Sequence, residues 1–291
     1  MNNDQWLAER FQEQRPHLRA VAYRVLGSLS EADDALQEAW LRLSRSGVDG
    51  VENFEGWLTT VVARVALNML RSRRTKREEP LGARMPDPVV DRADSTNPEH
   101  EALLADSVGL ALLIVLETLS PAERLAFVLH DMFAVPFDQI APIVERSPQA
   151  TRQLASRARR RVQGERTMPD PDLHRQRDVV DAFLAAAREG DFDALVAVLD
   201  PDVVLHADFG GGVTQRLRGA EAVASQAQTY SRLGLVIHPA LINGAVGAVT
   251  TRDGRPFSVG AFTVRDGKIV ELDFLSDPER LATLDLAVLD G

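Results

Sequence analysis

The spacing of apolar residues changes once along this 291-residue chain, and that change limits the folds open to it. Up to about Arg166, apolar residues recur every three or four positions, which is the period of an amphipathic helix. After the proline-rich stretch Met168–Pro171, short apolar runs alternate with turn residues, a pattern typical of antiparallel strands. We therefore expect a multidomain protein in which all-α domains precede an α+β domain.

The first helical region is predicted to contain three helices. An apolar stripe from Leu7 to Leu26 stops at Gly27, Ser30 is placed to cap a second helix, and a third helix runs from about Glu55 to Arg74. From Thr75 to about His100 the periodicity disappears and prolines stand among acidic residues. This composition predicts an extended linker.

Helical spacing resumes over 101–165 and ends in a helix-turn-helix pattern. Ser120 and Glu123 form a capping-box signature before one helix, a short helix is predicted over 137–144, and Ser147 caps the next helix. Two short helices joined by a tight turn, with arginines along the second, predict a DNA-binding motif. A solvated basic helix end is the alternative explanation.

The second helix of that motif has the residue types that recognise DNA. Small and polar side chains at its first turn suit base edges, and arginines further along suit phosphates. The predicted contacts are Ser147, Gln149, Thr151, Arg152, Arg157, Arg159 and Arg160.

The net charge of −10 at first argues against nucleic acid, but the charges are sorted along the chain. After Arg166, 19 acidic residues stand against 11 basic ones, so much of the excess acid lies there. Residues 64–77 hold six basic residues and no acid, whereas 31–38 hold four acids and no base. Each cluster also has a simpler explanation, because such charges stabilise a helix dipole. Phe54 and Trp57, near the basic cluster, favour contact with unstacked bases.

Composition excludes several classes of protein. The chain has no cysteine, which removes disulfide scaffolds and thiolate zinc sites, and its six histidines never stand three or four apart on a helix. We therefore expect no metal site and no cofactor. The longest apolar stretch, 108–116, is too short for a membrane span, and the N-terminus lacks a basic signal-peptide start. We expect a cytoplasmic protein that binds no membrane.

The order of the segments carries a resemblance to a known family. SEADDALQEAWLRL, GWLTTVVARVALNMLRSRR, LSPAERLAFVLHDMFAVPFDQIA and ATRQLASRARR resemble the two conserved regions of extracytoplasmic-function (ECF) sigma factors of bacterial RNA polymerase. The resemblance implies region 2 in 1–75, a linker in 76–100, region 4 in 101–165 and a second linker in 166–174. It implies an alternative sigma factor that binds core RNA polymerase and directs promoter-specific transcription initiation. Because the polymerase would hold both basic faces on DNA at once, the acidic net charge is no obstacle.

The resemblance also assigns surfaces. The helix-turn-helix would bind the minus-thirty-five element, and the partners on the polymerase would be the β′ clamp and the β flap. The acidic helix would dock on the β′ clamp through Asp33, Asp34, Gln37, Glu38 and Trp40. The third helix would open and bind the minus-ten element, with contacts from Trp57, Thr60, Arg64, Asn68, Arg71, Arg73 and Arg74.

Two residues depart from the family pattern in the helix-turn-helix. Pro142 falls inside its first helix, where proline removes an amide donor, and Glu145 stands where the family usually has a turn glycine. We expect a compensating shift of the turn.

The remainder, 175–291, resembles the SnoaL-like domains of the NTF2-like fold, a cone of bent sheet with helices over its mouth. In ECF sigma factors this domain implies regulation in cis. Two motifs of that subgroup are partly recognisable, and they nominate Asp208, Gly210, Gly211, Gly212, Asp277, Pro278, Arg280 and Leu281 as regulatory residues. The first motif has an inserted Phe209 and lacks its lysine.

SnoaL-like folds can also be enzymes, so a SnoaL-type enzyme or a ligand sensor with a DNA-binding appendage is the alternative. His206, Asp208, Tyr230 and Asp273 are the candidates for proton transfer. We expect no enzyme, and we keep a small ligand in the C-terminal pocket as an open alternative. An enzyme requires a closed polar pocket with a perturbed acid, whereas a sigma factor requires an exposed acidic helix.

Overall fold

The structure, a computed structural model, describes residues 3–46, 53–76, 85–93, 109–165, 170 and 172–289. These residues form two compact units. The first contains 3–76 and 115–165, and the second contains 85–93, 109–114 and the residues from 170 onward. Residues 85–93 of the predicted linker belong to the C-terminal unit, so this part of the linker is no free spacer.

The N-terminal part is all helical, as the spacing predicts. Its helices are α1 (Asn3–Leu26), α2 (Leu29–Ser46), α3 (Phe54–Lys76), α4 (Leu110–Glu117), α5 (Pro121–Phe127), α6 (Phe137–Val144) and α7 (Pro148–Glu165), with a π-helical turn at Val128–Met132. Gly27 ends α1 with a positive φ of 70°. The cap of α2 differs from the prediction: α2 begins one residue before Ser30, and the amide of Glu31 donates to Ser28 Oγ at 3.4 Å. The helix predicted over 101–108 lies outside the described residues.

The helix-turn-helix forms at α6 and α7, and the expected shift of its turn is wrong. Glu145 adopts the left-handed conformation itself, with φ 56° and ψ 48°, at a cost of roughly 1–2 kcal/mol for a residue with a Cβ. Pro142 stays within α6. Because α6 is only eight residues long, proline removes a single hydrogen bond near its end.

The two helical regions of the first unit are joined by buried arginines. Arg124 of α5 is 2% exposed, pairs with Glu117 at 2.6 Å, and donates to the main-chain carbonyl of Arg24 at 3.4 Å. Arg24 is 1% exposed and lies 4.9 Å from the ring centroid of Phe133. Separating the two regions would therefore expose charged groups that have partners here.

The second unit is an α+β domain built on a seven-stranded sheet. Its strands are β1 (Val90–Arg92), β2 (Leu199–Asp208), β3 (Thr214–Arg218), β4 (Val236–Ile242), β5 (Ala245–Arg252), β6 (Arg255–Arg265) and β7 (Lys268–Leu275). Its helices are α8 (Leu173–Glu189), α9 (Phe192–Val198), α10 (Ala220–Ser231) and α11 (Pro278–Leu281), followed by a 3-10 turn at Ala287–Leu289. The strand order is β1-β4-β5-β6-β7-β2-β3, antiparallel except for the parallel pair β2–β7.

Turn chemistry fixes the register of this sheet. Asp253-Gly254 and Asp266-Gly267 have positive φ at both residues, which confirms the predicted two-residue hairpins. One face of the sheet packs on the helices through an apolar core that includes Phe183, Leu195 and Phe262.

Two strands were not predicted. β3 carries two arginines in five residues and lies at one edge of the sheet, where such residues are tolerated. β1 comes from the linker and pairs antiparallel with β4, with Val90 opposite Ile242. The pairing continues at Val89, whose amide donates to Asn243 Oδ1 at 3.2 Å and whose carbonyl accepts from the Asn243 amide at 2.8 Å.

Candidate promoter, polymerase and regulatory surfaces

The acidic helix α2 presents one exposed face. Asp34, Gln37, Glu38 and Leu41 are exposed and recur at helical spacing, and Leu41 is a large apolar side chain that is 40% exposed. This face therefore combines polar and acidic side chains with one exposed apolar side chain. Asp33 lies beside this face, where it accepts two hydrogen bonds of 3.0 Å from Arg19.

A groove runs between α1 and α2 at the edge of that face. Its volume is about 320 Å³. Trp40 lines the groove and packs against Phe11, with ring centroids 5.1 Å apart. Trp40 is therefore half-buried and contributes one edge to the surface, whereas the acids contribute the charge.

The predicted minus-ten residues of α3 share one side of the helix. Arg64 and Asn68 are exposed, and Trp57, Thr60 and Arg71 are partly exposed along the same stripe. Trp57 stacks on Phe54 with a centroid separation of 6.2 Å, so an aromatic pair lies at the start of α3. Cations and aromatic rings on one helix face suit a single strand of unstacked bases.

Arg73 departs from this surface. It donates to the main-chain carbonyl of Leu26 at 3.2 Å and pairs with Glu31, so it fastens α3 to the start of α2. The side chain of Arg74 lies outside the described residues.

The first turn of α7 exposes part of the predicted base-reading set. Gln149 and Arg152 are exposed, and the Arg152 guanidinium lies 5.3 Å from the ring centroid of Phe137. Ser147 caps the helix by accepting from the amide of Ala150 at 3.2 Å. The assignment of Thr151 is wrong: it is 0% exposed, and its hydroxyl donates to the Ser147 carbonyl at 3.0 Å.

The arginines further along α7 differ in their partners. Arg159 pairs with Asp131 at 2.6 Å and Arg157 lies 3.4 Å from Glu123, whereas Arg160 is exposed. Ion pairs of this kind between half-exposed groups are weak and exchangeable with phosphate.

The two regions that are predicted to face DNA are in contact. Arg71, on the minus-ten stripe of α3, pairs at 3.3 Å with Glu145 in the turn of the helix-turn-helix. The residue that departs from the family's turn glycine is thus the one that contacts the helix with the predicted minus-ten residues.

The nominated regulatory residues converge on the linker. Arg280 donates to Asp208 at 2.9 Å, to Asp87 through Nε at 2.9 Å, and to the carbonyl of Met85 at 2.6 Å. The amide of Met85 donates to Asp208 Oδ2 at 3.0 Å. We call Arg280, Asp208, Asp87 and Met85 the linker anchor. The side chains of its three charged members are between 7% and 13% exposed.

The glycine-rich loop supports the anchor. Gly210, Gly211 and Gly212 all have positive φ, and the amide of Gly210 donates to Asp208 Oδ1 at 3.0 Å. A Cβ at Gly210 would lie 2.5 Å from the carboxylate of Asp277. Asp277 in turn caps α11, the helix that carries Arg280, by accepting from the Glu279 amide at 3.0 Å. Leu281 is buried at 3% exposure and fixes that helix against the domain.

An apolar cavity of about 140 Å³ lies between the sheet and its helices. Leu205, Ala207, Leu272 and Phe274 line it, with Tyr230 of α10 among the polar groups at its wall. Successive residues of a strand point to opposite faces. His206, Asp208 and Asp273 therefore lie on the other face of the sheet and do not line the cavity, so the predicted proton-transfer set is not assembled in the pocket.

Those residues form a separate cluster. His206 Nδ1 lies 3.1 Å from Asp273 and 3.4 Å from Glu271, across the parallel β2–β7 pair. Burial raises the pKa of Asp273 to about 7, and the charge of Glu271 adds to that effect, while His206 opposes it. Burial by itself would lower the pKa of His206, but hydrogen bonds and charge from Asp273 and Glu271 outweigh it and raise that pKa to about 9.

Comparison with protein families identifies three regions of the chain. Three models match this chain: Sigma-70 region 2 over residues 11–76, Sigma-70 region 4 over 110–162, and the SnoaL-like domain over 180–272. Two helical sigma regions followed by an α+β domain of NTF2-like fold define a sigma-70-type transcription factor. No helix among the described residues combines the length and apolarity needed to cross a membrane.

Similar individual proteins identify the group of sigma factors to which this chain belongs. The ECF RNA polymerase sigma factor SigJ of Mycobacterium tuberculosis H37Rv is 39% identical over 254 residues, covering 82% of this chain and 80% of that protein. The probable ECF sigma factor SigI of the same species is 39% identical over 199 residues, covering 68% and 69%. The crystal structure of SigJ matches with a TM-score of 0.75 and 35% identity over 96% of this chain and 99% of that chain. The chain belongs to the ECF RNA polymerase sigma factors, which confirms the predicted function of directing promoter-specific initiation with core polymerase.

Proposed function

We propose that this sigma factor docks on core polymerase through the exposed face of α2. The support is the match between sequence pattern and exposure: Asp34, Gln37 and Glu38 are exposed together, with Leu41 beside them. The β′ clamp is the partner that the family resemblance implies for this face, and the β flap is the partner of region 4. Because core polymerase and promoter DNA lie in the cytoplasm, the protein acts there.

We propose further that the first unit opens on the promoter. The minus-ten and minus-thirty-five elements are about 25 base pairs apart by name, or roughly 85 Å along a duplex with a rise of 3.4 Å per base pair. Arg71 and Glu145, which lie on the two DNA-facing regions, are 3.3 Å apart in this structure. One compact conformation cannot place both regions on their elements, so binding to polymerase has to separate them.

The C-terminal domain regulates this step in cis by holding the linker. The observation that carries this proposal is the linker anchor, in which one arginine binds two carboxylates and a main-chain carbonyl. Two further contacts fix the linker. Its strand β1 is paired with β4, and Arg177 donates a hydrogen bond to the carbonyl of Ala93 at 2.9 Å. A linker fixed along its described length limits how far the two sigma regions can move apart.

The experiment is in vitro transcription with core polymerase and a promoter-enriched library. The full chain is compared with its Arg280→Ala variant, with Arg255→Ala as a control at an exposed turn, and with a chain that ends near Arg166. Altered initiation by Arg280→Ala and by the short chain, but not by Arg255→Ala, supports cis regulation through the anchor. Equal initiation by all forms contradicts the regulation alone, and absence of both initiation and core binding contradicts the polymerase docking.

We propose that the apolar cavity takes a small apolar ligand as a regulatory input, and that this domain is not an enzyme. Support comes from the lining, which is mainly aliphatic and aromatic, and from the placement of His206 and Asp273 on the opposite face of the sheet. A cavity of about 140 Å³ admits a molecule about the size of a benzene ring. Xenon and benzene are the probes: a shift in amide exchange at Leu205 and Phe274 supports binding, and unchanged exchange contradicts it.

A further inference from the structure

A histidine and two carboxylates meet on the face of the sheet away from the cavity. His206 and Asp273 are directly paired residues of the parallel strands β2 and β7, and Glu271 lies two residues before Asp273 on the same face. One ligand atom from each of the three side chains lies within 4.8 Å of the other two. Paired strands hold these atoms more precisely than a loop would.

The separations suit a shared cation. Ligand atoms that bind one metal ion at about 2.0–2.2 Å lie roughly 2.9–3.6 Å from each other in tetrahedral or octahedral geometry. The separations of His206 Nδ1 from Asp273 and Glu271, 3.1 Å and 3.4 Å, fall in that range. All three ligand atoms lie within 4.8 Å of one another, so side-chain adjustment could bring them around one ion.

The burial of the two carboxylates also suits a cation, since buried charges in proteins are paired or coordinate metals. Asp273 is 1% exposed and Glu271 is beside it, so two carboxylates share a site that is largely withdrawn from water. The charged group on the neighbouring strand is Arg216, which is opposite His206 in β3 and exposed, and Thr263 is opposite Glu271 in β6.

We propose that His206, Glu271 and Asp273 form a binding site for a divalent transition-metal ion. One imidazole nitrogen with two carboxylate oxygens favours borderline ions such as Zn²⁺ or Co²⁺ over Ca²⁺ and Mg²⁺, which prefer all-oxygen sites. The ion neutralises the two carboxylates and ties β2 to β7. Spacing between histidines does not reveal this site, because its ligands come from two strands and His206 is at least 65 residues from the two carboxylates in sequence.

The test uses the full chain, stripped of metal with a chelator, and Co²⁺ as a visible probe. We expect one Co²⁺ per chain, displaced by Zn²⁺, with binding weakened about tenfold or more in Glu271→Gln and in His206→Ala. Circular dichroism shows whether each variant folds. If His206→Ala does not fold, Glu271→Gln still tests metal binding, because this replacement is nearly isosteric and Glu271 is partly exposed. Because the metal displaces protons, affinity is expected to rise with pH between 6 and 9.

His238→Gln is the matched control. His238 is another half-buried histidine on the same sheet, and its Nε2 lies 3.0 Å from the hydroxyl of Thr251 rather than beside carboxylates. This variant is expected to bind Co²⁺ as the parent chain does. Absence of Co²⁺ and Zn²⁺ binding at about 1 mM metal would overturn the proposal. Equal binding by the parent, Glu271→Gln and His206→Ala chains would overturn it as well.

Discussion

Replacement of Arg280 by alanine tests the hold of the C-terminal domain on the linker directly. The guanidinium has Asp87 and Asp208 as partners, and all three side chains are nearly buried. The variant leaves both carboxylates without their cation in a site that water reaches poorly. It also removes a hydrogen bond to the carbonyl of Met85.

The expected magnitude follows from that burial. Breaking a buried ion pair by removing one partner costs about 3–5 kcal/mol, much of it from the charge left behind. Because the anchor is not fully buried, we take the lower end, about 3 kcal/mol. That value raises the fraction of molecules with a released linker roughly 150-fold at 25 °C.

Amide hydrogen exchange measured by mass spectrometry on the full chain provides the assay. The peptide that contains 85–92 is followed, because its amides at Met85 and Val89 have partners in the C-terminal domain. We expect its exchange to accelerate about 100-fold in Arg280→Ala. Arg280→Lys retains the charge without the planar fork, so an intermediate effect is expected.

A contrary result is easy to recognise. Exchange of the 85–92 peptide that is the same in Arg280→Ala as in the Arg255→Ala control would mean that the anchor contributes nothing to holding the linker. Acceleration over the whole C-terminal domain would instead mean that Arg280 stabilises the fold in general, and the proposed local release would be wrong.

Four further outcomes are expected. Reversal of charge at Asp34 and Glu38 to lysine weakens core polymerase binding about tenfold in a fluorescence titration, since exposed charges contribute up to about 1 kcal/mol each. Arg160→Ala lowers promoter affinity of the holoenzyme for all sequences and reduces the slope of log affinity against log salt by about one. Gly210→Ala destabilises the domain by about 2 kcal/mol in hydrogen exchange, because of its positive φ of 80° and the close Asp277 carboxylate. In metal-free buffer, β2 and β7 lose up to about 3 kcal/mol of stability as pH rises from 6.5 to 9, because the folded-state pKa of His206 lies above its unfolded value.

Each of these has a matched control. Glu189→Lys changes the same charge on the C-terminal unit and should leave polymerase binding intact, and Arg232→Ala should leave the salt slope intact. Gly254→Ala also has a positive φ but open space around its Cβ, so it separates backbone strain from the clash at Gly210. His206→Gln should abolish the loss of stability between pH 6.5 and 9, and a loss that persists in it would refute the assignment to His206.

The helical half of the chain could be predicted closely because its signals are local. The bounds of α6 match the prediction, and the capping box of Ser120 with Glu123 forms as predicted. The burial of Thr151 can also be inferred from the sequence. Thr151, Ala155, Ala158 and Val162 recur at helical spacing, and all four are buried. Thr151 lies in the first turn of α7, where residues can contact DNA, but it is on the side of the helix that faces the core.

The linker strand could not be predicted in this way. β1 is three residues long and lies among prolines and acids, and its partner β4 begins about 145 residues later. No local pattern encodes such a pairing. The same limit applies to Asp87, whose contact with Arg280 joins two distant segments, although the family resemblance did nominate Arg280 and Asp208.

The pairing of β1 with β4 also affects how readily the protein aggregates when the linker is released from the sheet. While the linker is bound, the sheet ends in a strand of three residues, too short to serve as a template for another chain. Once it leaves, Ala240–Ile242 lose their partner strand, and the edge of β4 becomes continuous with Val236, which is 57% exposed. Such an edge invites strand exchange between copies of the protein and self-association. Activation by linker release would therefore carry an aggregation hazard, which favours release on the polymerase over release in free solution.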